Sequence, residues 1–208
     1  MKRTLSFAAG LVLALLAVLW SIAGPALQTE RFEKAVLNTV NREAVGMSES
    51  DLTAFARETM DYLNGRADKW SPDTPFEISP AFVRHMAEVR GWVDALKIAL
   101  PAGAALSVLL LMYGRDGQMA RLGMLTLLGL IAAVLLWAAI DFDSLWMVIH
   151  RVLIPGGIFA AGEMVMRLFP LELFFSYVGA VALRLAGWML LVGGITWFLP
   201  RIRFRVKS

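Results

Sequence analysis

Four apolar runs, each about as long as a bilayer is thick, divide this chain and limit the folds open to it. They occupy residues 5–23, 92–113, 122–140 and 173–199. A helix needs about 20 such residues to cross the hydrocarbon core of a membrane. Apolar residues make up 58% of the chain and its mean hydropathy is +0.64, which excludes an ordinary soluble domain. The sequence therefore predicts an all-α integral membrane protein with four transmembrane helices.

The segments between these runs give the predicted domain organisation. Residues 1–27 hold the first transmembrane helix, and 28–91 form a small, mostly helical extracytoplasmic cap. Residues 92–140 hold the second and third transmembrane helices. Residues 141–172 are too polar to cross a bilayer and too apolar for a solvated loop, which favours a second extracytoplasmic segment at the membrane interface. Residues 173–208 hold the fourth transmembrane helix and a basic cytoplasmic tail.

Local signals predict where helices begin in the cap. Residues 29–45 carry an apolar stripe at helical spacing, which indicates a helix. Ser48 and Asp51 match the capping-box pattern, with Ser48 as N-cap. Ser79 and Pro80 are typical of an N-cap followed by the first helical residue. We expect the helix that starts there to continue into the second transmembrane run.

Basic residues gather in three segments that flank the spans. The N-terminus, the turn at 114–121 and the C-terminal tail carry eight of them, and only Asp116 opposes these charges. The region 28–92 instead holds eleven acidic and eight basic residues. The eight basic residues are Lys2, Arg3, Arg115, Arg121, Arg201, Arg203, Arg205 and Lys207. With four spans these segments share one side, which the positive-inside rule makes cytoplasmic, so both termini lie inside and the cap outside.

The cysteine and histidine content and the net charge exclude several classes of function. The chain contains no cysteine, which excludes thiol nucleophiles, disulfides and thiolate metal sites. With two histidines and no HExxH motif the sequence predicts no metal site and no cofactor. The positive charge suits anionic membrane lipid, and because no nucleic-acid-binding motif accompanies it, a nucleic acid partner is not expected.

The two histidines are the first candidates for chemistry. His85 lies seven residues before Trp92, so it would sit on the order of 10 Å above the membrane if the helix is continuous. His150 lies ten residues after Ile140, on the same outer side. Imidazole moves protons well near neutral pH, so a pair at matching depth predicts acid–base catalysis. The alternative is that each is an interfacial anchor or a hydrogen-bonded helix residue.

Other side chains are candidates for the walls of such a site. On helical spacing Phe142, Trp146 and His150 fall on one face, near Asp143, although an interfacial aromatic belt would look alike. Glu88 is three residues from His85 and could orient its ring. Arg184, a third of the way into the fourth span, either faces the site or snorkels to the interface. The predicted substrate-binding set is Phe82, Glu88, Trp92, Phe142, Asp143, Trp146, Phe159 and Arg184.

Three segments together resemble the bacterial lipoprotein intramolecular transacylase family, known as Lit. They are GMSESDLTAFARETMDYLNG at 46–65, RHMAEVR at 84–90 and DFDSLWMVIHRV…MRLFPLELFF at 141–175. Within them His85 matches an H-M-x-[DE]-V pattern, and His150 matches F-D-x-x-aromatic-x-x-x-H. The family tends to have Asp where Glu88 and Glu163 stand here, and more aromatic rings than 152–159 contains.

This resemblance implies a fold, a reaction and two catalytic residues. Members are described as four transmembrane helices under an extracellular cap, with two catalytic histidines at the boundary, here His85 and His150. They move an acyl chain from the sn-2 oxygen of a diacylglyceryl lipoprotein to the α-amino group of its N-terminal cysteine, which gives the lyso form. The implied partners are the diacylglyceryl lipoprotein and membrane lipid, with the oligomeric state left open.

Two rival functions remain at this stage. One is a non-catalytic scaffold or lipid-binding partner protein, for which the cap surface would matter and the histidines would not. The other is a hydrolase of the same ester. Product mass separates hydrolysis from transfer, because hydrolysis releases a free fatty acid and transfer conserves the mass of the lipoprotein.

Overall fold

The computed structural model describes residues 1–154, 159 and 163–198. Within these residues the chain is helical, and no strand occurs among them. The helices are α1 (Lys2–Ala26), α2 (Thr29–Thr39), α3 (Arg42–Val45), α4 (Glu49–Asn64), α5 (Pro80–Gly114), α6 (Gly117–Ile140), α7 (Phe142–Leu153), a 3-10 turn (Met164–Arg167) and α8 (Leu171–Phe198). The predicted end of the fourth span at Leu199 and the basic tail lie outside the described residues.

Four helices are long and apolar enough to cross a membrane, which confirms the predicted fold class. By length and composition the candidate spans among the described residues are Lys2–Ala26, Pro80–Gly114, Gly117–Val134 and Met164–Leu191. Most residues of these helices are not buried inside the protein. In the most apolar 18-residue stretch of each helix, at most 33% of the stretch is buried. Such a surface is stable only against lipid.

Helix starts follow the predicted capping signals. The Ser48 hydroxyl accepts from the backbone N–H of Asp51 at 3.2 Å, and the Asp51 carboxylate accepts from the N–H of Ser48 at 2.9 Å. α5 begins at Pro80, where the N–H of Phe82 donates to the hydroxyl of Ser79 at 3.3 Å. α5 then continues through the second apolar run, as expected.

The stripe over 29–45 is divided between two helices, so the prediction of one helix there was wrong. α2 ends at Thr39, and Val40 is extended with a ψ of 126°. The side chain of Asn41 then caps α3 by accepting from the N–H of Ala44 at 3.1 Å. Asparagine competes with the helical backbone for hydrogen bonds, and here its side chain starts a new helix.

The described residues form two compact units. The apolar unit comprises residues 1–21, 97–140 and the described part of 182–208, and the polar unit comprises 22–96 and 141–181. In the apolar unit α1 and α6 pack backbone to backbone at glycines. A Cβ on Gly123 would overlap the carbonyl oxygen of Phe7, and one on Gly10 would overlap that of Ala120.

We expect Gly123→Ala to lower the thermal midpoint of the protein in detergent. The added methyl group has to displace the backbone of α1, and overpacking of this kind costs about 1–3 kcal/mol. Gly129→Ala is the matched control on the same helix, because a Cβ there meets no atom within 4 Å. Equal midpoints for the two variants would contradict the close contact.

Two distant stretches of sequence build the polar unit together. Helices α2 and α4 pack against each other, and the segment after α7 supplies a ring at their centre. The Phe169 ring centroid lies 5.7 Å from that of Phe55 and 5.5 Å from that of Phe82. The buried core includes Phe32, Val36, Leu52, Phe55, Met60, Phe82, Met86, Leu168 and Leu173. This core fixes the start of α5, which carries His85.

Candidate active site

His85 lies on the second turn of α5 and is half-buried among aromatic rings. Phe82 and Met86, on the same helix, are buried in the core of the polar unit and hold that turn in place. The His85 ring centroid lies 5.4 Å from the centroid of Phe82 and 5.4 Å from that of Phe159, in edge contacts with both. Its Nδ1 atom is buried and has no hydrogen-bond partner among the described residues. A buried nitrogen without a hydrogen-bond partner is uncommon in proteins, which makes His85 a candidate functional residue.

His150 lies on α7 and faces inward. Asp141 caps this helix by accepting from the N–H of Ser144 at 3.0 Å. The His150 side chain is only 8% exposed, and its Nδ1 lies 3.0 Å from the carbonyl oxygen of Trp146. Because a carbonyl oxygen can only accept, Nδ1 carries the hydrogen, and in the neutral form of the ring Nε2 has a free lone pair.

The two imidazoles come together in the polar unit. Their ring centroids lie 6.2 Å apart, and the ring planes are inclined by 30°. The Trp146 ring lies 4.3 Å from that of His150, centroid to centroid. Two rings this close can both contact one small group that lies beside the pair.

Burial and the neighbouring histidine keep His85 uncharged. α5 has 35 residues, so it is about 52 Å long and exceeds the roughly 30 Å hydrocarbon core of a bilayer. His85 precedes the charged pair of Arg90 and Asp94, which places it outside the spanning part of the helix.

Burial, and secondly the charge of His150, lowers the pKa of His85 from 6.5 to about 4. At neutral pH the His85 imidazole is therefore neutral.

The aromatic residues predicted to line the site belong to this cluster. Phe82 and Phe159 lie 4.9 Å apart, centroid to centroid, and both contact His85. Phe142 and Trp146 stack on α7 with ring centroids 5.7 Å apart. Three of these rings contact a histidine and Phe142 contacts Trp146, so apolar surface borders the histidine pair.

The remaining residues of the predicted set are Glu88, Asp143, Arg184 and Trp92. Glu88 and Asp143 are exposed, and Glu88 makes no hydrogen bond to His85 in the described part of the chain. Arg184 is half-buried and belongs to the apolar unit. Trp92 is 47% exposed, and its indole N–H donates to the backbone carbonyl of Leu153 at 2.9 Å.

Two rings at the site were not among the sequence predictions. Phe174 lies 4.8 Å from Trp146, and Phe175 lies 4.8 Å from Phe142, centroid to centroid. Both belong to the first two turns of α8. The aromatic run at 174–175 was visible in the sequence, but nothing in its spacing connected it with α7.

Among the described residues, the histidine pair is accompanied by no cluster of metal ligands and does not line the cavity at the start of α2. No group of three His, Cys, Asp or Glu side chains suited to a metal ion occurs in the part of the chain that the structure describes. A cavity of about 840 Å³ opens at the start of α2. Its lining is Gln28, Thr29, Glu30, Arg31, Lys34, Ala35, Asn38 and Ser176, without either histidine. We therefore place the candidate active site by side-chain chemistry rather than by cavity size.

Comparison with known proteins gives a family and a fold. The family model for the lipoprotein intramolecular transacylase Lit matches residues 7–156, which include both histidines. No curated protein sequence matches the chain. The solved structure of the membrane integral lipoprotein intramolecular transacylase Lit from Bacillus cereus is 17% identical, with a TM-score of 0.69, and the match covers 96% of this chain and 94% of that one.

Two further structures of that Bacillus cereus protein have the same fold. They carry an arginine or an alanine mutation of a histidine, and both are 16% identical to this chain. Their TM-scores are 0.65 and 0.67, over 96% of this chain and over 90% and 92% of theirs, respectively. At these identities the likeness establishes the fold, and the family match stands independently of it.

Proposed function

The chain belongs to the lipoprotein intramolecular transacylase family, and from that premise we propose that His85 and His150 carry out its acyl transfer. The protein is an integral membrane acyltransferase. It moves an acyl chain of a bacterial lipoprotein from the sn-2 oxygen of the diacylglyceryl group to the α-amino group of the N-terminal cysteine. The observation that supports the two catalytic roles is the approach of the two imidazoles to 6.2 Å within a ring of aromatic side chains.

His150 is the proposed base. The neutral α-amine attacks the ester carbonyl carbon, and a C–N bond forms as the carbonyl oxygen becomes an oxyanion. Nε2 of His150 takes a proton from the nitrogen, and the imidazolium is stabilised because its Nδ1–H donates to the Trp146 carbonyl. As the C–O bond to the glyceryl group breaks, His150 returns that proton to the leaving oxygen. The net change is one proton moved from nitrogen to oxygen.

His85 is the proposed stabiliser of the oxyanion. Because its lowered pKa keeps the ring neutral, it offers one N–H donor and does not compete with the amine for protons. A neutral imidazole held in a partly buried site can donate its N–H to a developing negative charge. Removal of one such donor typically costs on the order of 10²- to 10³-fold in rate.

Both reactants belong to one substrate, so the site needs no nucleophile of its own. Alignment of amine and ester supplies on the order of 7–11 kcal/mol of the barrier in well-oriented intramolecular reactions. The rings of Phe82, Phe159 and Trp146 exclude water from the ester, which disfavours hydrolysis. We propose the exposed Glu88, Asp143 and the half-buried Arg184 as contacts for the polar parts of the substrate and for membrane lipid head groups.

The proposed reaction is tested with a synthetic diacylglyceryl lipopeptide and the full-length protein in liposomes. Tandem mass spectrometry should find an unchanged total mass, with one acyl chain on the α-amine and one left on the glyceryl group. A product that has gained water and released a fatty acid would indicate a hydrolase and overturn the transfer mechanism. Recovery of unmodified lipopeptide would instead favour the non-catalytic scaffold.

The proposed orientation places both termini in the cytoplasm and the histidines outside. The support is the eight basic residues in the three flanking segments, which anionic head groups and the insertion machinery keep inside. The residues of the polar unit, including the region 28–92 with its acidic excess, then face outward. The site would meet lipoproteins on the extracytoplasmic side of a bacterial cell membrane.

We expect a cysteine introduced at Asp73 to react with a membrane-impermeant maleimide in intact cells. The chain contains no cysteine, so label found on the purified protein comes from the introduced thiol alone. Gln118→Cys, in the turn at 114–121, is the matched control and should react only after the cells are permeabilised. Both side chains are exposed in the structure. The reverse labelling pattern would contradict the orientation.

A further inference from the structure

We propose that Trp92 is a positioning residue, which sets the distance between His85 and His150 through a hydrogen bond to the end of α7. The indole N–H of Trp92, on α5, donates to the carbonyl oxygen of Leu153, on α7, at 2.9 Å. The proposal rests on the catalytic roles proposed above for the two histidines. It replaces the interpretation of Trp92 as a wall of the substrate site.

The bond joins the two helices close to the imidazole pair. Trp92 follows His85 by seven residues, which is two turns along the same face of α5. Leu153 follows His150 by three residues, about one turn along α7. A shift of α7 at Leu153 is therefore transmitted directly to the His150 ring.

The C-terminal end of α7 needs such a contact. The last carbonyl groups of a helix have no partner within it, and that of Leu153 is one of them. Around it the apolar side chains face outward, with Val152 72% exposed and Leu153 45% exposed. The first half of α7 is held differently, because Phe142 and Trp146 pack on Phe175 and Phe174. Ring packing thus fixes one end of the helix and the Trp92 hydrogen bond fixes the other.

The two interpretations of Trp92 differ in which kinetic constant they affect. A wall residue contributes through its ring, so Trp92→Phe would preserve most of that contact. A positioning residue contributes through its N–H, which phenylalanine lacks. Misplacement of a catalytic group lowers kcat with little change in KM, because the lipid-binding surface remains.

The test compares full-length W92F with W137F, using the diacylglyceryl lipopeptide in liposomes. Trp137 is an exposed tryptophan on α6 in the apolar unit, so its substitution controls for loss of an indole at the protein surface. We expect W92F to lower kcat by about 5- to 100-fold, with KM and the thermal midpoint unchanged. W137F should match the unsubstituted protein.

Three results would overturn the positioning role. They are an unchanged kcat in W92F, a raised KM at unchanged kcat, and a fall in kcat that is matched by a lower thermal midpoint. The same assay on His85→Ala and His150→Ala separates this proposal from the one on which it rests. If those variants lose activity while W92F keeps its kcat, only the role of Trp92 fails. If they retain activity, the catalytic assignment itself fails.

Discussion

Replacement of His85 by alanine, or of His150 by alanine, is expected to lower the rate of lyso-form production by roughly 10²- to 10⁴-fold. Alanine at 150 removes the base that carries the proton from nitrogen to oxygen. Alanine at 85 removes the donor to the oxyanion. The rate is measured by mass spectrometry of the lipopeptide, with folding checked by the thermal midpoint in detergent.

Matched controls lie next to each histidine on the same helix. Arg84 and Arg151 are exposed, so Arg84→Ala and Arg151→Ala should change the rate little. The double histidine variant should be about as slow as the slower single variant, because groups that act on one transition state are not additive. Near-normal product from either histidine variant would remove that residue from the mechanism.

The parts of the fold that depend on neighbours in sequence were predictable. The capping box at Ser48 and Asp51 and the start of α5 at Pro80 involve atoms within three residues of each other. The four spans follow from run length, because lipid requires every backbone group to be satisfied within a helix. These features depend on local chemistry, and the structure confirms them.

The break between α2 and α3 was missed because two local signals compete there. Apolar spacing over 29–45 favours a continuous helix, whereas Asn41 favours a cap. Periodicity alone does not rank the two. The structure resolves the competition in favour of the cap, with Val40 extended and Val45 buried against the core.

Part of the candidate site depends on contacts between distant segments, which the sequence does not encode locally. Topology placed His85 and His150 at a similar depth, but the contacts of Phe174 and Phe175 with α7 arise from the packing of α8. The same holds for Trp92, whose partner is a backbone carbonyl 61 residues away. A backbone acceptor leaves no signature in the sequence, so this hydrogen bond could not be predicted.

Phe55→Ala is expected to destabilise the polar unit by about 3–5 kcal/mol and to abolish activity at temperatures where the unsubstituted protein still works. Phe55 is 1% exposed, and its ring packs on Trp70 and Phe169. Phe169 packs in turn on Phe82, which contacts His85. A cavity at Phe55 therefore loosens the support of one catalytic imidazole as well as the core.

The effect of Phe55→Ala is measured by thermal unfolding in detergent and by hydrogen exchange of the amides in α4 and in the first turns of α5. Val83→Ala is the matched control, because Val83 is 39% exposed on α5 and its truncation leaves no cavity. We expect faster exchange in both helices for the Phe55 variant and unchanged exchange for the control. If exchange rises in α4 alone, the aromatic chain does not couple the core to His85, since α5 would then be held by contacts that Phe55 does not support.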